Sequence, residues 1–171
     1  FKLDYRSEEI PFVGREKEFG EIDAFCASEK QISWWAVIGK GGSGKSRLAY
    51  EYIKSNMSSA EWKMCFLREE FFSQAGGGGK YKKWDIWTYD KNLLLVVDYV
   101  QKYAKEVAQW IEGLYNSNSV TRKIRILILE RTDGEQSLWM REGFEKTVTG
   151  TLKYNKDFLR LQSLDVDLIP F

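Results

Sequence analysis

Histidine is absent from this chain of 171 residues, and cysteine and proline each occur only twice. The two cysteines, Cys26 and Cys65, lie far apart and form no Cys-x-x-Cys pair. Zinc sites, Cys/His nucleophiles and disulfide frameworks all need clustered cysteine or histidine, so the sequence argues against each of them. This composition fits a protein of the reducing cytosol.

Net charge and long apolar runs are also missing. The 26 Lys and Arg residues nearly cancel the 25 Asp and Glu residues, so no global field draws the chain to nucleic acid or to an acidic membrane, although local basic patches remain open. No apolar run approaches ~18 residues, and the N-terminus does not resemble a signal peptide. We therefore predict a cytoplasmic protein without a membrane partner, and we do not expect this domain alone to bind nucleic acid.

The length and the 43% apolar content suit one domain with a substantial core. We predict a polar lead-in at residues 1–11, one nucleotide-binding domain at 12–166, and the start of a truncated C-terminal segment at 167–171. Because the chain opens on Phe1 rather than Met, we expect it to be part of a longer protein.

The strongest signal is the phosphate-binding pattern G-x-x-x-x-G-K-[S/T], which residues 39–46 fill completely after the apolar run 34–38. Backbone N–H groups of such a loop point at phosphates, Lys45 reaches the β- and γ-phosphates, and the Ser46 hydroxyl can ligate Mg²⁺. A helix that begins near Gly44 places the positive end of its dipole at the loop, which also favours a bound phosphate. The alternative is a glycine turn that merely joins a strand to a helix. The predicted cofactor-binding residues here are Gly39, Gly41, Gly42, Ser43, Gly44, Lys45, Ser46 and Arg47.

A second signal is the run 93–97 of five apolar residues followed by Asp98. Such a run predicts a strand buried on both faces, as in a parallel sheet. A carboxylate at the carboxyl end of this strand lies where ligands bind in open α/β sheets, and beside a phosphate loop it would hold Mg²⁺. We predict Ser46 and Asp98 as metal ligands. The alternative is that Asp98 caps the next helix.

A further apolar strand at 123–129 ends in Glu130-Arg131-Thr132. If this strand neighbours the phosphate-loop strand, Arg131 would lie beside the loop and could touch the γ-phosphate. The equal alternative is a surface arginine paired with Glu130 or Asp133.

Helical and strand patterns alternate along the chain. Helices are predicted through 19–26, 48–53 and 103–114, and further strands at 63–67 and 158–164. This alternation predicts an α/β fold: a three-layer sandwich with a five-stranded, mostly parallel sheet and helices on both faces, the P-loop NTPase fold. For residues 133–156 only one short helix can be placed.

A glycine-rich stretch interrupts the pattern. Residues 71–75 show no clear period, and the four glycines that follow would cost entropy in any helix or strand, so we predict irregular structure and a flexible loop over 75–83. Two alternatives stay open: a basic, aromatic nucleic-acid patch at 80–87, and an engineered splice that replaces a longer loop.

The order of these motifs resembles the nucleotide-binding domain of the signal-transduction ATPases with numerous domains (STAND), which include the NB-ARC and NACHT branches and are related to AAA+ ATPases. Residues 13–16 look like the family's N-terminal element, 39–46 match Walker A, 93–98 match Walker B, and 126–132 look like the strand that ends in the sensor-1 arginine. Residues 159–165 look like the strand that leads into the family's helical lid.

The resemblance implies that Val13, Gly14 and Arg15 contact adenine and ribose, that the ligand is ATP or ADP with Mg²⁺, and that Lys45, Asp98 and Arg131 form the catalytic set. It also implies a nucleotide-dependent switch, with flanking effector and sensor domains and a homo-oligomer in the active state, in bacterial immunity or regulation. The family usually has a second acid after the Walker B Asp, whereas Tyr99 stands here, so we expect slow or absent ATP hydrolysis in isolation.

Three other functions are compatible with a phosphate loop. An AAA+ ATPase of the origin-recognition type would remodel DNA or protein, but it should carry the second acid and a basic surface. A small-molecule kinase would need a lid with several arginines, and the candidate region 133–156 holds only Arg141. An interaction module with a degenerate site is disfavoured by the intact Lys45, Ser46 and Asp98.

Overall fold

Helices and strands alternate in the computed structural model, which describes residues 6, 11–73, 90–117, 120–131, 139, 144, 162 and 163. In chain order the elements are α1 (Glu16–Ala27), β1 (Ile32–Gly39), α2 (Lys45–Ser55), β2 (Trp62–Phe66), α3 (Glu69–Ser73), β3 (Asn92–Asp98), α4 (Ala104–Tyr115), β4 (Ile124–Arg131) and β5 (Gln162–Ser163). A short 3₁₀ helix, Val100–Tyr103, leads into α4.

The five strands form one sheet in the order β2-β3-β4-β1-β5, and every described pairing is parallel. Strand β4 therefore lies between β1 and β3. The register places Gly39 opposite Arg131, and Asp98 opposite Leu129. Because parallel strands end at the same edge, the last residues of β1, β3 and β4 meet at one edge of the sheet.

Both faces of the sheet are covered by helices, which is why the central strands are apolar throughout. Along β1, successive side chains alternate between the faces: Trp35 and Val37 pack against α1 and α2, whereas Trp34, Ala36 and Ile38 face α4. The predicted α/β sandwich is confirmed, with strand bounds within two residues of those expected for β1 to β4.

The helix α3 was not predicted, because residues 71–75 show no helical period. Its two phenylalanines, Phe71 and Phe72, pack edge-to-face on Trp110 of α4, with ring centroids 5.5 and 5.8 Å away. A helix of five residues has little intrinsic stability, so contacts with α4 stabilise this turn.

Several sequence predictions fall outside the described residues. These are the loop at 75–83, most of the lead-in and of the region 133–156, and the segment 167–171. Of the predicted strand at 158–164, Gln162 and Ser163 are described, and they pair with Val37 and Ile38 of β1. Within the described part of the chain, none of the helices is long and apolar enough to cross a membrane.

A buried arginine connects α1 to the sheet. Arg125, in the middle of β4, is fully buried, and its guanidinium donates to the carbonyl oxygens of Phe25 (2.8 Å), Ser28 (2.5 Å) and Ile124 (3.1 Å). The first two acceptors lie at the C-terminal end of α1, where helix carbonyls have no partner within the helix and a positive charge is favoured. Arg125 thereby caps α1 from the sheet and sets where this helix lies.

Candidate nucleotide-binding site

The phosphate loop joins the end of β1 to the start of α2, as predicted. Gly42 and Gly44 have φ angles of +81° and +84°, in the left-handed region where side-chain-bearing residues are strained. Gly44 is the N-cap of α2, so Lys45 and Ser46 are the first residues of this helix. The glycines therefore have a conformational role in turning the chain from strand to helix.

Lys45 lies inside the loop and is only 8% exposed. Its ammonium donates to the carbonyl oxygens of Gly39 (2.6 Å) and Lys40 (3.0 Å) and to the Ser43 hydroxyl (3.2 Å). Burial lowers the pKa of Lys45, the nearby Asp98 carboxylate opposes this effect, and the positive charge of Arg131 adds to it. The loop thus surrounds a buried cation with neutral oxygens.

Asp98 and Ser46 meet across the edge of the sheet. The Ser46 hydroxyl donates to Oδ2 of Asp98 at 2.5 Å, although the two residues are 52 positions apart. Burial raises the pKa of Asp98, and the hydrogen bond from Ser46 acts in the opposite direction. The alternative role of Asp98 as a helix cap is not seen, because the 3₁₀ helix has Tyr99 as its N-cap and no side-chain capping bond.

The oxygen pair of Ser46 and Asp98 suits a hard cation. Mg²⁺ commonly binds one or two protein oxygens and completes its coordination with water and the substrate's phosphates. Among the described residues, no cluster of three or more His, Cys, Asp or Glu side chains could hold a metal by itself. The donor set therefore fits a magnesium ion that arrives with a nucleotide, and Ser46 and Asp98 would hold it.

Arg131 lies against the phosphate loop, because β4 is the direct neighbour of β1. Its Cζ atom is 3.5 Å from the point where a side chain at Gly41 would begin. The ion pair with Glu130 is not formed: the Glu130 carboxylate accepts hydrogen bonds from the backbone N–H groups of Gln101 (2.6 Å) and Arg131 (2.7 Å). Asp133, the other partner considered, lies outside the described residues.

No protein-family model and no curated protein matches the chain. Solved structures share its fold. A closed state of Hsp104 with ATPγS and FITC-casein matches with a TM-score of 0.59 and 14% identity over 90% of this chain. Drosophila ORC bound to DNA matches with a TM-score of 0.55 and 14% identity over 81% of this chain. The chain therefore shares the α/β fold of these two structures. It spans 27% of the Hsp104 chain and 41% of the ORC chain.

The N-terminal element, residues 13–16, contacts the phosphate loop through Arg15. Gly14 has a φ of +75°, and the Arg15 guanidinium donates to the Ser43 carbonyl oxygen at 3.0 Å while pairing with Glu18 at 2.7 Å. Val13 is 65% exposed. The structure thus brings Arg15 to the loop, whereas a contact of Val13, Gly14 and Arg15 with adenine and ribose stays a prediction.

We expect replacement of Arg15 by Ala to weaken ADP binding about five-fold, because the loop loses a charged hydrogen-bond donor that stabilises its conformation. The control is Lys17→Ala, which removes an exposed positive charge from the same end of α1 and should change affinity less than about two-fold. Isothermal titration calorimetry with ADP measures both effects. Equal affinities of the Arg15 variant and the wild type would contradict this role.

Arg47, also predicted to bind the nucleotide, lies at the first turn of α2. Its guanidinium pairs with Glu51 at 2.6 Å, one helical turn further along α2. This ion pair connects the side chain to its own helix, and nucleotide contact by Arg47 stays a prediction.

Two residues at the sheet edge have roles that sequence reasoning missed. Glu130, which the sequence suggested as a partner for Arg131, is 3% exposed, and both its oxygens accept backbone N–H groups. Tyr99 was noted only for the acid that it replaces. The sequence holds one signal for each role: Glu130 is a charged residue at the end of an apolar strand, and Tyr99 is an aromatic residue directly after Asp98.

Proposed function

We propose that this domain binds an adenine nucleotide with Mg²⁺ and acts as a nucleotide-dependent switch with slow hydrolysis. One observation carries the proposal: the cations Lys45 and Arg131 and the oxygen pair of Ser46 and Asp98 converge on the phosphate loop at one edge of the sheet. Fixed positive charge and a magnesium-type donor pair at a helix N-terminus are what a nucleoside di- or triphosphate requires.

Slow hydrolysis is supported by the groups that follow the strand ends. A water that attacks the γ-phosphate needs a positioned acceptor, usually a carboxylate. The residue after Asp98 is Tyr99, and the oxygens of Glu130 already accept two backbone N–H groups at 2.6 and 2.7 Å. Among the described residues near Asp98, no carboxylate is therefore left to orient water.

The wider role rests on the resemblance to STAND proteins. We propose that the domain at 12–166 is part of a longer cytoplasmic protein, in which nucleotide occupancy sets how effector and sensor domains pack and whether the protein oligomerises. In such a switch the γ-phosphate distinguishes two conformations, so affinity matters more than turnover.

An AAA+ ATPase of the origin-recognition type is the second candidate, because the fold matches ORC about as well as Hsp104. That protein is bound to DNA in its structure. Fluorescence anisotropy with duplex DNA separates the two candidates: salt-dependent binding that requires ATP would favour the second, and the near-neutral charge of the chain favours the first.

The test of the proposal is calorimetry with ADP, ATP and GTP, each with and without Mg²⁺, together with a phosphate-release assay. We expect tighter binding of ADP and ATP than of GTP, and little phosphate release.

Replacing Asp98 with Asn should abolish the effect of Mg²⁺ on ATP affinity, which we expect to be about ten-fold in the wild type. The matched control is Asp90→Asn, an exposed carboxylate before the opposite end of β3. The role of Asp98 is refuted if Mg²⁺ still strengthens ATP binding in its variant.

In the phosphate-release assay, fast multiple turnover by the wild type would contradict the proposed switch.

A further inference from the structure

Tyr99 has an unusual backbone for a residue with a large side chain. Its φ is +56° and its ψ is +49°, which is the left-handed conformation, and it is the only non-glycine residue with positive φ in the described part of the chain. Such a conformation costs about 1 kcal/mol or more in a non-glycine residue, so neighbouring contacts must stabilise it.

Those contacts attach Tyr99 to β4. Its backbone N–H donates to the Leu129 carbonyl oxygen at 3.1 Å and to Oδ1 of Asp98 at 3.0 Å. Leu129 is two residues before Arg131 on the same strand. Tyr99 is therefore held both to Asp98 and to the strand that carries Arg131.

The Tyr99 ring, although 54% exposed, has a partner. The Arg131 Cζ atom lies 5.7 Å from the ring centroid, within the range of a cation–π contact. The same guanidinium lies beside Gly41 of the phosphate loop, with Nε 3.6 Å and Nη1 3.7 Å from the point where a side chain would begin. The guanidinium thus lies against an aromatic ring and beside Gly41 of the phosphate loop at once.

Neither contact occupies the hydrogen-bond donors of Arg131. Within the described residues, its backbone N–H bonds Glu130, but no protein oxygen accepts a bond from its guanidinium. A guanidinium with its five donors available beside a phosphate loop suits a phosphate oxygen. Glu130 fixes the backbone of Arg131, whereas Tyr99 contacts its charged end.

We propose that Tyr99 is a positioning residue that holds the Arg131 guanidinium at the phosphate loop, so that the site distinguishes a nucleoside triphosphate from a diphosphate. This inference rests on the proposed function and assigns to Tyr99 the regulation of the same site. Tyr99 directly follows Asp98, where a second acid would be expected, and in this proposal its ring favours recognition of the γ-phosphate in place of its hydrolysis.

The experiment compares Tyr99→Leu and Tyr99→Phe in the 171-residue chain. Both keep a bulky side chain, but only Phe retains an aromatic face. Calorimetry with Mg²⁺ measures the affinities for adenylyl imidodiphosphate and for ADP, and their ratio is the readout. We expect Leu to lower the triphosphate preference about three-fold and Phe to leave it within about two-fold. Thermal melts check that both variants are folded.

Arg131→Met should lower the same ratio about ten-fold. In the double variant, Tyr99→Leu should add nothing to this loss, because the ring acts only through the guanidinium. Three results would each overturn the inference while leaving the proposed function in place. The affinity ratio could be unchanged in Tyr99→Leu, the losses of the two single variants could add in the double variant, or Tyr99→Leu could weaken the binding of both nucleotides equally. Failure of the wild type to bind either nucleotide would overturn both.

Discussion

Nucleotide binding is expected to fall at least about a hundred-fold when Lys45 is replaced by methionine, an effect of about 3 kcal/mol. Methionine keeps most of the length of lysine and removes the charge. Lys45 is only 8% exposed, and its ammonium is already directed into the loop by the oxygens of Gly39, Lys40 and Ser43. A phosphate oxygen bound there would receive a charge-assisted hydrogen bond in a poorly hydrated place, where such bonds are strongest.

Lys40→Met is the matched control, because Lys40 is an exposed lysine of the same loop. Removing its charge changes the long-range field at the site but no buried contact, so we expect less than about a three-fold loss of affinity. Calorimetry with ADP and Mg²⁺ measures both variants, and circular dichroism confirms their fold. Comparable losses at Lys40 and Lys45 would show that general charge, and not the phosphate loop, binds the nucleotide.

Replacing Arg125 with methionine is expected to lower the free energy of unfolding by about 3–5 kcal/mol. The guanidinium donates to the carbonyl oxygens of Phe25, Ser28 and Ile124, and more distantly to that of Gln31 at 3.4 Å. Methionine cannot donate a hydrogen bond, so the half-buried carbonyl oxygens of Phe25 and Ser28 at the end of α1, and that of Ile124 in β4, would lose this donor. For a domain of this size, the melting temperature should fall by about 10 °C.

The control for Arg125 is Lys123→Met. Lys123 is on the same stretch of chain, partly exposed, and lies 3.4 Å from the Ala27 carbonyl oxygen and 3.7 Å from Glu29. The Lys123→Met variant also loses a cation near the end of α1, but water can replace the contacts of this partly exposed side chain. We therefore expect the free energy of unfolding to change by less than about 1 kcal/mol. Urea unfolding of both variants separates the two cases. A small effect at Arg125 would mean that the carbonyl oxygens find other donors.

The elements that the sequence predicted well are those with a strong local signal. The run 93–97 is apolar at every position, as expected of a strand that is covered on both faces of the sheet. Residues 39–46 form a complete phosphate-loop pattern. Helix α3 had no such signal, because Phe71 and Phe72 are stabilised by Trp110, almost forty residues later in the chain. A contact with a residue so far away in the chain produces no helical periodicity within a segment of five residues, so the sequence does not predict this helix.

The charged residues of β4 show the same limit. Arg125 and Glu130 occur in a strand of otherwise apolar residues, and nothing near them in the sequence says whether they are buried. The acceptors for Arg125 come from the end of α1, and one donor for Glu130 comes from Gln101. Burial of a charge depends on such distant partners, so it could not be predicted from the strand alone.

By itself, the sequence determined the chemical groups of the site and the local backbone that presents them: the glycines with left-handed φ, the lysine and serine at the helix start, and the aspartate at a strand end. The tertiary structure decided which of these groups meet. Insertion of β4 between β1 and β3 places Arg131 opposite Gly39 and beside Tyr99. Strand order follows from how the crossover helices pack on the two faces, and this packing involves residues far apart in the chain.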